Sequence, residues 1–303
     1  QTGDKFWDCS IDRFHERIRA FVKIEDGCDR FCSYCIIPKS RGRVRSKPLD
    51  TLKNEIEALA SGGIREIVLV GINLSAYGKG EDFNIVDAVK ICNENEKIKR
   101  IRLGSLEPDH LTDEVIDGLA SCEKLCPQFH ISLQSGCNKT LKSMNRHYTA
   151  EEYKALCTKL RASFDDASLT TDVMVGFNDE TEADFSESLD FVKDIAFEKV
   201  HVFPYSERVG TAASKRGDNV SKQEKERRAA VMIEETEKIR HNYLKSLVNT
   251  SKKVLFENEI KPGIYQGYTK SYLPVRMKYD RNIVGEELEV KITNYCDEFC
   301  IAE

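Results

Sequence analysis

The sequence has no apolar run approaching the roughly 18 residues that a membrane-spanning helix needs, so no such span is expected. Residues 1–20 lack both the apolar core and the small-residue cleavage site of a signal peptide, and the first residue is Gln1 rather than Met. A cytoplasmic protein cut from something longer is expected. Neither internal repeats nor low-complexity segments occur. His110, His130, His147 and His201 are scattered, and no Ser-His-Asp order or paired-carboxylate site stands out. Surplus positive charge is absent too: the net charge is -5, which argues against a surface that attracts nucleic acid everywhere but leaves room for a local basic patch. Eleven unevenly spaced cysteines in 303 residues are too sparse for a small secreted disulfide scaffold. A reducing compartment with a metal site fits them better.

What is present begins with size. The chain is about twice a typical domain of roughly 150 residues, with 40% hydrophobic and 32% charged residues, so one large domain plus a small one is expected. From about residue 18 to 205, short β-branched runs alternate with charged helical stretches, the pattern of βα units and a parallel sheet. The runs are Arg19 to Ile24, Glu66 to Val70, Lys99 to Gly104, Phe129 to Leu133, Leu169 to Phe177 and Lys199 to Tyr205. Helices are predicted at Leu49 to Ser61, Thr149 to Ser163 and Glu180 to Ile195. The fold class is therefore α/β: an open partial (β/α)6 barrel over residues 18–220, after an N-terminal remnant at 1–17. Ligands of such sheets bind where strands end and loops begin.

Residues 221–250 read as a charged connecting helix with opposite-sign pairs at helical spacing. From 251 to 303 short alternating strands, broken by Gly263, Gly267 and Gly285, read as a small β-barrel of a kind that often carries an RNA-binding surface.

The segment GCDRFCSYC sets Cys28, Cys32 and Cys35 at C-x3-C-x2-C spacing directly after the first strand, at a barrel mouth. Zinc or buried thiols are the alternatives, but zinc normally takes four protein ligands, and no fourth Cys or His follows at standard spacing. Three thiolates on one loop suit a 4Fe-4S cubane whose fourth iron lacks a protein ligand. The amino and carboxylate groups of S-adenosylmethionine can chelate that iron, and an electron from the cluster then splits the sulfonium to a 5'-deoxyadenosyl radical.

The cysteine loop followed by IIPKSRGRVRSK, with Pro38, Arg41, Gly42 and Arg45, resembles the methylthiotransferase branch of the radical S-adenosylmethionine enzymes. Similar stretches are RLGSLEP (102–108), ISLQSG (131–136), MNRHYT (144–149), DVMVGF (172–177) and HVFPYSERVGTAA (201–213). GYTKSYLPV (267–275) resembles the family's C-terminal RNA-binding barrel, called TRAM. HVFPYS with RGRVRS is most similar to the enzymes that methylthiolate N6-threonylcarbamoyladenosine beside the tRNA anticodon. Sister branches act on isopentenyladenosine in tRNA and on an aspartate of a ribosomal protein.

The resemblance implies a transferase that replaces an adenine C2–H by C–S–CH3. Ordinary acid-base side chains cannot remove that hydrogen, so a radical is needed. It further implies a tRNA anticodon stem-loop as partner and an electron donor such as flavodoxin or ferredoxin. A second S-adenosylmethionine would supply the methyl, and a second 4Fe-4S cluster, on three cysteines of an N-terminal domain outside this sequence, the sulfur. The 303 residues alone are then expected to cleave S-adenosylmethionine without completing sulfur insertion. A different class of reading is a non-catalytic RNA-binding module with a structural cluster, which the polar residues at strand ends speak against.

Cofactor contacts are expected from Gly71 and Asn73, where the family's backbone meets the amino group of S-adenosylmethionine. Ser105 and Glu107 follow the third strand and Gln134 and Ser135 the fourth, facing the mouth unless they merely cap the next helix. Asp172 in the fifth strand needs a partner such as ribose hydroxyls or an arginine, and Arg146 suits the cofactor carboxylate. Where the family usually has Pro-Gly, this chain has Asn178-Asp179, and Asp179 is expected to cap the next helix.

Arg41, Arg43, Arg45 and Lys47 alternate at period two, so an extended segment would present all four to phosphates. Tyr265, Tyr268 and Tyr272 are candidates for base stacking. Cys9, Cys92, Cys122, Cys126, Cys137, Cys157, Cys296 and Cys300 are expected to be structural thiols.

Overall fold

A computed structural model describes residues 18–296 and 298–303; the expected remnant at 1–17, with Cys9, lies outside the described residues. Six parallel strands run side by side: β1 (Arg19–Lys23), β2 (Glu66–Val70), β3 (Arg100–Leu103, continued past Gly104 by Ser105–Leu106), β4 (Gln128–Ile131), β5 (Ser168–Val175) and β6 (Lys199–Pro204). Arg19 pairs with Glu66, Glu66 with Arg100, Ser105 with His130, His130 with Thr170 and Asp172 with His201. Among the described strands β1 and β6 do not pair with each other, so the barrel is open along one side, as the six strand runs imply.

Side chains alternate across each strand. Ala20, Val22, Ile67, Leu69, Ile101, Leu103, Ile131 and Val173 point outward into one apolar core beneath the helices. Their neighbours Arg19, Glu66, Arg102, His130 and Asp172 take the other face, so the lumen is polar. A parallel sheet buried on both faces would read as continuous apolar runs; the alternation in RIRL is the mark of this polar interior.

The helices are α1 (Ile37–Arg41), α2 (Leu49–Ser61), α3 (Ile85–Glu94), α4 (Asp113–Ala120), α5 (Asn138–Ser143), α6 (Ala150–Ser163), α7 (Glu182–Ile195) and α8 (Lys222–Ser246). Thr149 and Glu152 form a capping box on α6. The start of α7 differs from expectation. Thr181, paired with Asp184, caps it, whereas Asp179 sits in the left-handed region at φ 62° and its carboxylate accepts from Asn219. Asn178 is buried and donates to the Ala213 carbonyl at 3.1 Å, which fixes the turn that Pro-Gly was expected to make. The charged helix α8 is more than a connector: Arg228 donates to the Glu180 carboxylate at 2.8 Å and Met232 joins the barrel's outer core.

The C-terminal strands β7 (Ser251–Lys261), β8 (Ile264–Thr269), β9 (Pro274–Lys278), β10 (Glu287–Tyr295) and β11 (Cys300–Ala302) close into a barrel in the order β7-β8-β9-β11-β10. Val254, Phe256, Val275 and Ile292 fill it. Tyr265 lies in this core, which removes it as a stacking surface. The turn after β8 seats against the strand-start end of the open barrel. Arg102 donates to the carbonyls of Thr269 and Lys270, both at 2.8 Å, and Arg100 to that of Tyr268 at 2.7 Å. Tyr268 and Tyr272 stack on each other at 4.8 Å, with Arg19 within 5.4 Å of both rings and Arg102 4.6 Å from Tyr272. Their π faces are thus taken by cations of the first barrel, and the expectation of RNA stacking there is corrected. No described helix is long and apolar enough to cross a membrane.

Candidate functional site

The loop after β1 turns back through Gly27, whose φ of 90° and approach to the Arg43 carbonyl leave no room for a Cβ, since one would lie 2.0 Å from that oxygen. Three backbone bonds then hold the cysteine loop: Cys28 N–H to Gly42 at 3.0 Å, Ser33 N–H to Met144 at 2.9 Å and Cys35 N–H to Cys32 at 3.0 Å. Burial pushes the Cys28 thiol up to about 11 and raises that of Cys35. A metal binding here must therefore displace protons. Among the described residues no three His, Cys, Asp or Glu side chains gather tightly enough to hold a single ion. A cubane, several atoms across, does not require that they do.

Around the loop lies a connected polar shell. Arg146 is buried; its Nη1 donates to the Cys32 sulfur at 3.3 Å, its Nε to the Tyr148 hydroxyl at 3.0 Å and its Nη2 to the Ser132 carbonyl at 3.1 Å, while the fork also grips the Glu107 carboxylate. The guanidinium expected to meet a cofactor carboxylate thus stands at the cysteine loop, holding Glu107 and the Cys32 sulfur. Glu107 also faces Arg30 at 3.4 Å. Asn73 lies 3.8 Å from the Cys28 sulfur through Nδ2, and its N–H donates to Glu25 at 2.7 Å. Gly71 is required here, because a Cβ would come within 2.6 Å of the Glu25 carboxylate. Burial pushes Glu25 up to about 7, against the N–H donated by Asn73.

Several buried polar atoms at this mouth have no hydrogen-bond partner in the protein: Glu25 Oε1, Asn73 Oδ1, Gln134 Oε1 and Nη2 of Arg30. Unpartnered donors and acceptors beside three thiols fit a bound cluster together with a polar, zwitterionic cofactor. Gln134, at φ 68°, is held by backbone bonds to Asp172 and Met174, both at 2.8 Å. Ser105 is exposed at the end of β3. Ser135 is not at the mouth. It is buried, bonds Ser188 and accepts from Cys137 N–H at 3.2 Å, which fixes the turn before α5, whose own N-cap is Cys137.

Asp172 does find a partner, but a histidine rather than an arginine: its carboxylate lies 3.3 Å from His130 Nε2, whose Nδ1 is 3.0 Å from the Thr170 hydroxyl. His201 stands next to it, with the two imidazoles 5.7 Å apart. The sequence scatters these histidines; the β4-β5-β6 register gathers them. Glu25, Arg30 and Tyr148 were also missed, though Glu25 and Arg30 flank Cys28 closely enough for proximity to the motif to have flagged them.

The basic row does not form. Arg41 ends α1, Arg45 lies 3.5 Å from Asp26, and Lys47 is buried against Glu55. Burial removes Lys47 as an RNA contact. Arg43 remains, with 76% of its side chain exposed, over the ring of exposed Phe31 at 5.3 Å. Cys92, Cys122, Cys126, Cys137, Cys157 and Cys300 are buried thiols and Cys296 is partly exposed.

An open six-stranded parallel barrel with three thiols on its first strand-end loop, ringed by unpartnered polar groups, defines an enzyme scaffold that carries its cofactor at the barrel mouth. The chain belongs to the radical SAM superfamily, whose profile matches residues 22–192. Its cofactors are accordingly a 4Fe-4S cluster and S-adenosylmethionine. Among curated relatives, the threonylcarbamoyladenosine tRNA methylthiotransferase MtaB of Thermotoga maritima is 36% identical over 290 residues, covering 95% of this chain and 66% of that protein. The tRNA-2-methylthio-N(6)-dimethylallyladenosine synthase of Natranaerobius thermophilus is 38% identical, covering 92% and 62%. The chain thus spans a little under two thirds of the length of these relatives. Among solved structures, coproporphyrinogen III oxidase from Escherichia coli, a radical SAM enzyme, aligns with a TM-score of 0.56 at 15% identity, covering 86% of this chain and 68% of that one. The radical SAM methyltransferase TsrM from Kitasatospora setae aligns at 0.52 with 16% identity, covering 61% and 36%.

Proposed function

We propose that this chain is the radical-generating part of a methylthiotransferase that modifies C2 of N6-threonylcarbamoyladenosine beside the anticodon of a cytoplasmic tRNA. The observation that carries the reading is the mouth itself: three thiols with Arg146, Asn73 and Gln134 around them, above a polar lumen open along one side. Relatives that act on tRNA, at 36% and 38% identity, support the substrate class.

Cys28, Cys32 and Cys35 hold the 4Fe-4S cluster, which with S-adenosylmethionine supplies a carbon radical able to take a hydrogen from an aromatic C–H. Glu25 and Gly71 fix the backbone at Asn73, whose orphaned amide oxygen would be available to the polar end of a bound cofactor. Arg146 donates to a cluster-ligating sulfur and anchors Glu107. Buried Tyr148 and Leu133 close the wall behind them and exclude water. Phe21 and Phe203, inward-facing and exposed on the two edge strands, flank the slot through which a flipped base enters. Exposed Arg43, lying over Phe31, gives the rim a cation for an RNA phosphate, and the C-terminal barrel is read as TRAM-like. The sulfur donor, a second cluster, belongs to an N-terminal domain, and a flavodoxin or ferredoxin delivers the electron.

Mass spectrometry of tRNA nucleosides from a strain lacking the gene tests this. Loss of 2-methylthio-N6-threonylcarbamoyladenosine is expected; its persistence overturns the substrate, and loss of the dimethylallyl product instead favours the sister branch.

A further inference from the structure

The loop that carries the three cysteines has two sides. One faces the mouth, where Asn73 and Gln134 stand. The other is backed by two distant segments: Ser33 N–H donates to the Met144 carbonyl at 2.9 Å, and the Ser33 carbonyl accepts from Ala213 N–H at 2.7 Å. Met144, Phe177 and Ala213 belong there to a small apolar cluster separate from the barrel core. Ser33 itself lies between two of the ligating cysteines, Cys32 and Cys35.

Over Ser33 lies one guanidinium. Arg216 donates to the Ser33 hydroxyl at 3.3 Å, to the Ser143 hydroxyl at 2.8 Å and to the Ser143 carbonyl at 3.1 Å, yet the residue remains exposed. A single side chain therefore connects solvent to the backbone between two cluster ligands.

The surface around Arg216 is basic. Residues 33–42 and 139–146 contain no acid, and residues 206–217 contain only Glu207. Lys39 of α1 donates to the Gly210 carbonyl, and Arg216 reaches Ser33 and Ser143, so the three segments share one face. Lys142, Arg208 and Lys215 are exposed on them and form no ion pair among the described residues. In a chain of net charge -5 this is a local reversal of sign. Val209, 88% exposed, is an apolar point among these cations.

An electron has to reach the cluster while S-adenosylmethionine fills its mouth side, so it enters from another side. Bonded and hydrogen-bonded atoms carry it better than gaps do, and Arg216 with Ser33 supplies such a route. A donor that docks here must be acidic, to match the cations, and apolar where its redox group emerges, to meet Val209. A flavin edge ringed by carboxylates has that chemistry. RNA is equally acidic, but its target base has to reach the mouth, and the rim cation placed for it, Arg43, lies over Phe31 rather than over Ser33.

We propose that the basic face made by Lys142, Arg208 and Lys215 around Arg216 is the docking surface for a flavodoxin, whose electron enters the cluster past Ser33. This rests on the reading that a carrier protein supplies the electron. The flavin hydroquinone anion is oxidised by one electron and the oxidised cluster is reduced by one; no bond forms or breaks, and no proton crosses the interface.

The test compares the reconstituted 303-residue chain with its triple variant K142E/R208E/K215E, which leaves Arg216 and Lys39 in place. Anaerobic titration with flavodoxin, read by flavin fluorescence at low salt, gives the affinity, and stopped-flow absorbance gives the rate of cluster reduction by flavodoxin hydroquinone. Both are expected to fall by at least ~10-fold, as loss of complementary charge predicts, with K142Q/R208Q/K215Q lying between. Iron content, melting temperature, the extent of reduction by dithionite and affinity for an anticodon stem-loop are expected to stay unchanged. Unchanged flavodoxin affinity in the triple variant overturns this surface and leaves a carrier-protein donor standing. An equal fall in stem-loop affinity marks a general polyanion surface and also overturns it. Incomplete reduction by dithionite places the fault in the cluster itself and overturns the docking role. No complex between flavodoxin and the wild-type chain overturns the donor reading and the surface with it.

Discussion

The Nη1 of Arg146 lies 3.3 Å from the sulfur of Cys32 and donates to it, across 114 residues of sequence. A charged donor on a ligating sulfur favours the more negative, reduced state of a cluster and so raises its reduction potential. The R146Q variant should keep its iron but titrate lower by roughly 60 mV, taking a charge-assisted bond as worth about 1.5 kcal/mol. Potentiometric titration followed by electron paramagnetic resonance measures this. An unchanged potential with intact iron would mean that Arg146 serves Glu107 alone.

Anaerobic reconstitution should load about four irons, the number in one cubane. Cys28→Ala, Cys32→Ala and Cys35→Ala should each abolish loading, whereas Cys122→Ala and Cys296→Ala should not. Iron assay with the 400 nm absorbance band reads the outcome, and iron retained in the Cys32 variant contradicts the ligand set.

Gly71→Ala separates cluster binding from cofactor binding. A Cβ 2.6 Å from the Glu25 carboxylate forces Glu25 off the Asn73 N–H, displacing the Asn73 amide from the mouth. Iron content should be unchanged, while affinity for S-adenosylmethionine, measured by calorimetry, should drop by at least ~10-fold, the loss of one good hydrogen bond. Wild-type affinity in this variant would remove Gly71 and Asn73 from the cofactor site.

Glu198 sets a pH dependence of stability. It is buried beside Ser168, with Arg240 at 3.4 Å, and burial pushes its carboxyl from 4.5 up to about 7. Between those values the folded state binds more protons than the unfolded one. The stability contributed by the neutral acid is therefore complete below about pH 4.5 and is lost as pH rises through 7. Glu25, also near 7, adds a second loss of the same sign. Denaturant unfolding should show wild-type stability falling across this window, and E198Q should shrink the fall by on the order of 2 kcal/mol. An identical slope in E198Q would sink the assignment.

Much of the fold was legible because strand and helix periodicities are local properties of the chain. The run RIRL alternates apolar and charged residues, and that alternation is the barrel wall itself. The cysteine spacing is equally local, which is why it could be read without a structure. What escaped depends on register and on distant partners. His130 and His201 are 71 positions apart in sequence yet have rings 5.7 Å apart, through two strand pairings that no local pattern encodes. Lys47 reads as one more base in a basic row, and only the fold brings Glu55 against it. Tyr268 and Tyr272 look like stacking residues because composition cannot reveal that Arg19 and Arg102 already occupy their faces. Arg146 could be singled out from the sequence, but its partners Cys32, Glu107 and Ser132 come from three distant segments that only the fold brings to it.

The turn at Thr269 to Tyr272 that seats beneath the first barrel has a consequence for how the molecule is made. Arg19, Arg100 and Arg102 emerge early from the ribosome, but the groups that neutralise or cap them, Glu257, Glu287 and the Tyr268 to Lys270 carbonyls, are among the last to be synthesised. Until then three guanidiniums line an unfinished chamber with only Glu66 among them. The strand-start end of the chamber is therefore closed only when the last-made barrel has folded and docked, whereas the thiols at the opposite mouth do not depend on it for cover.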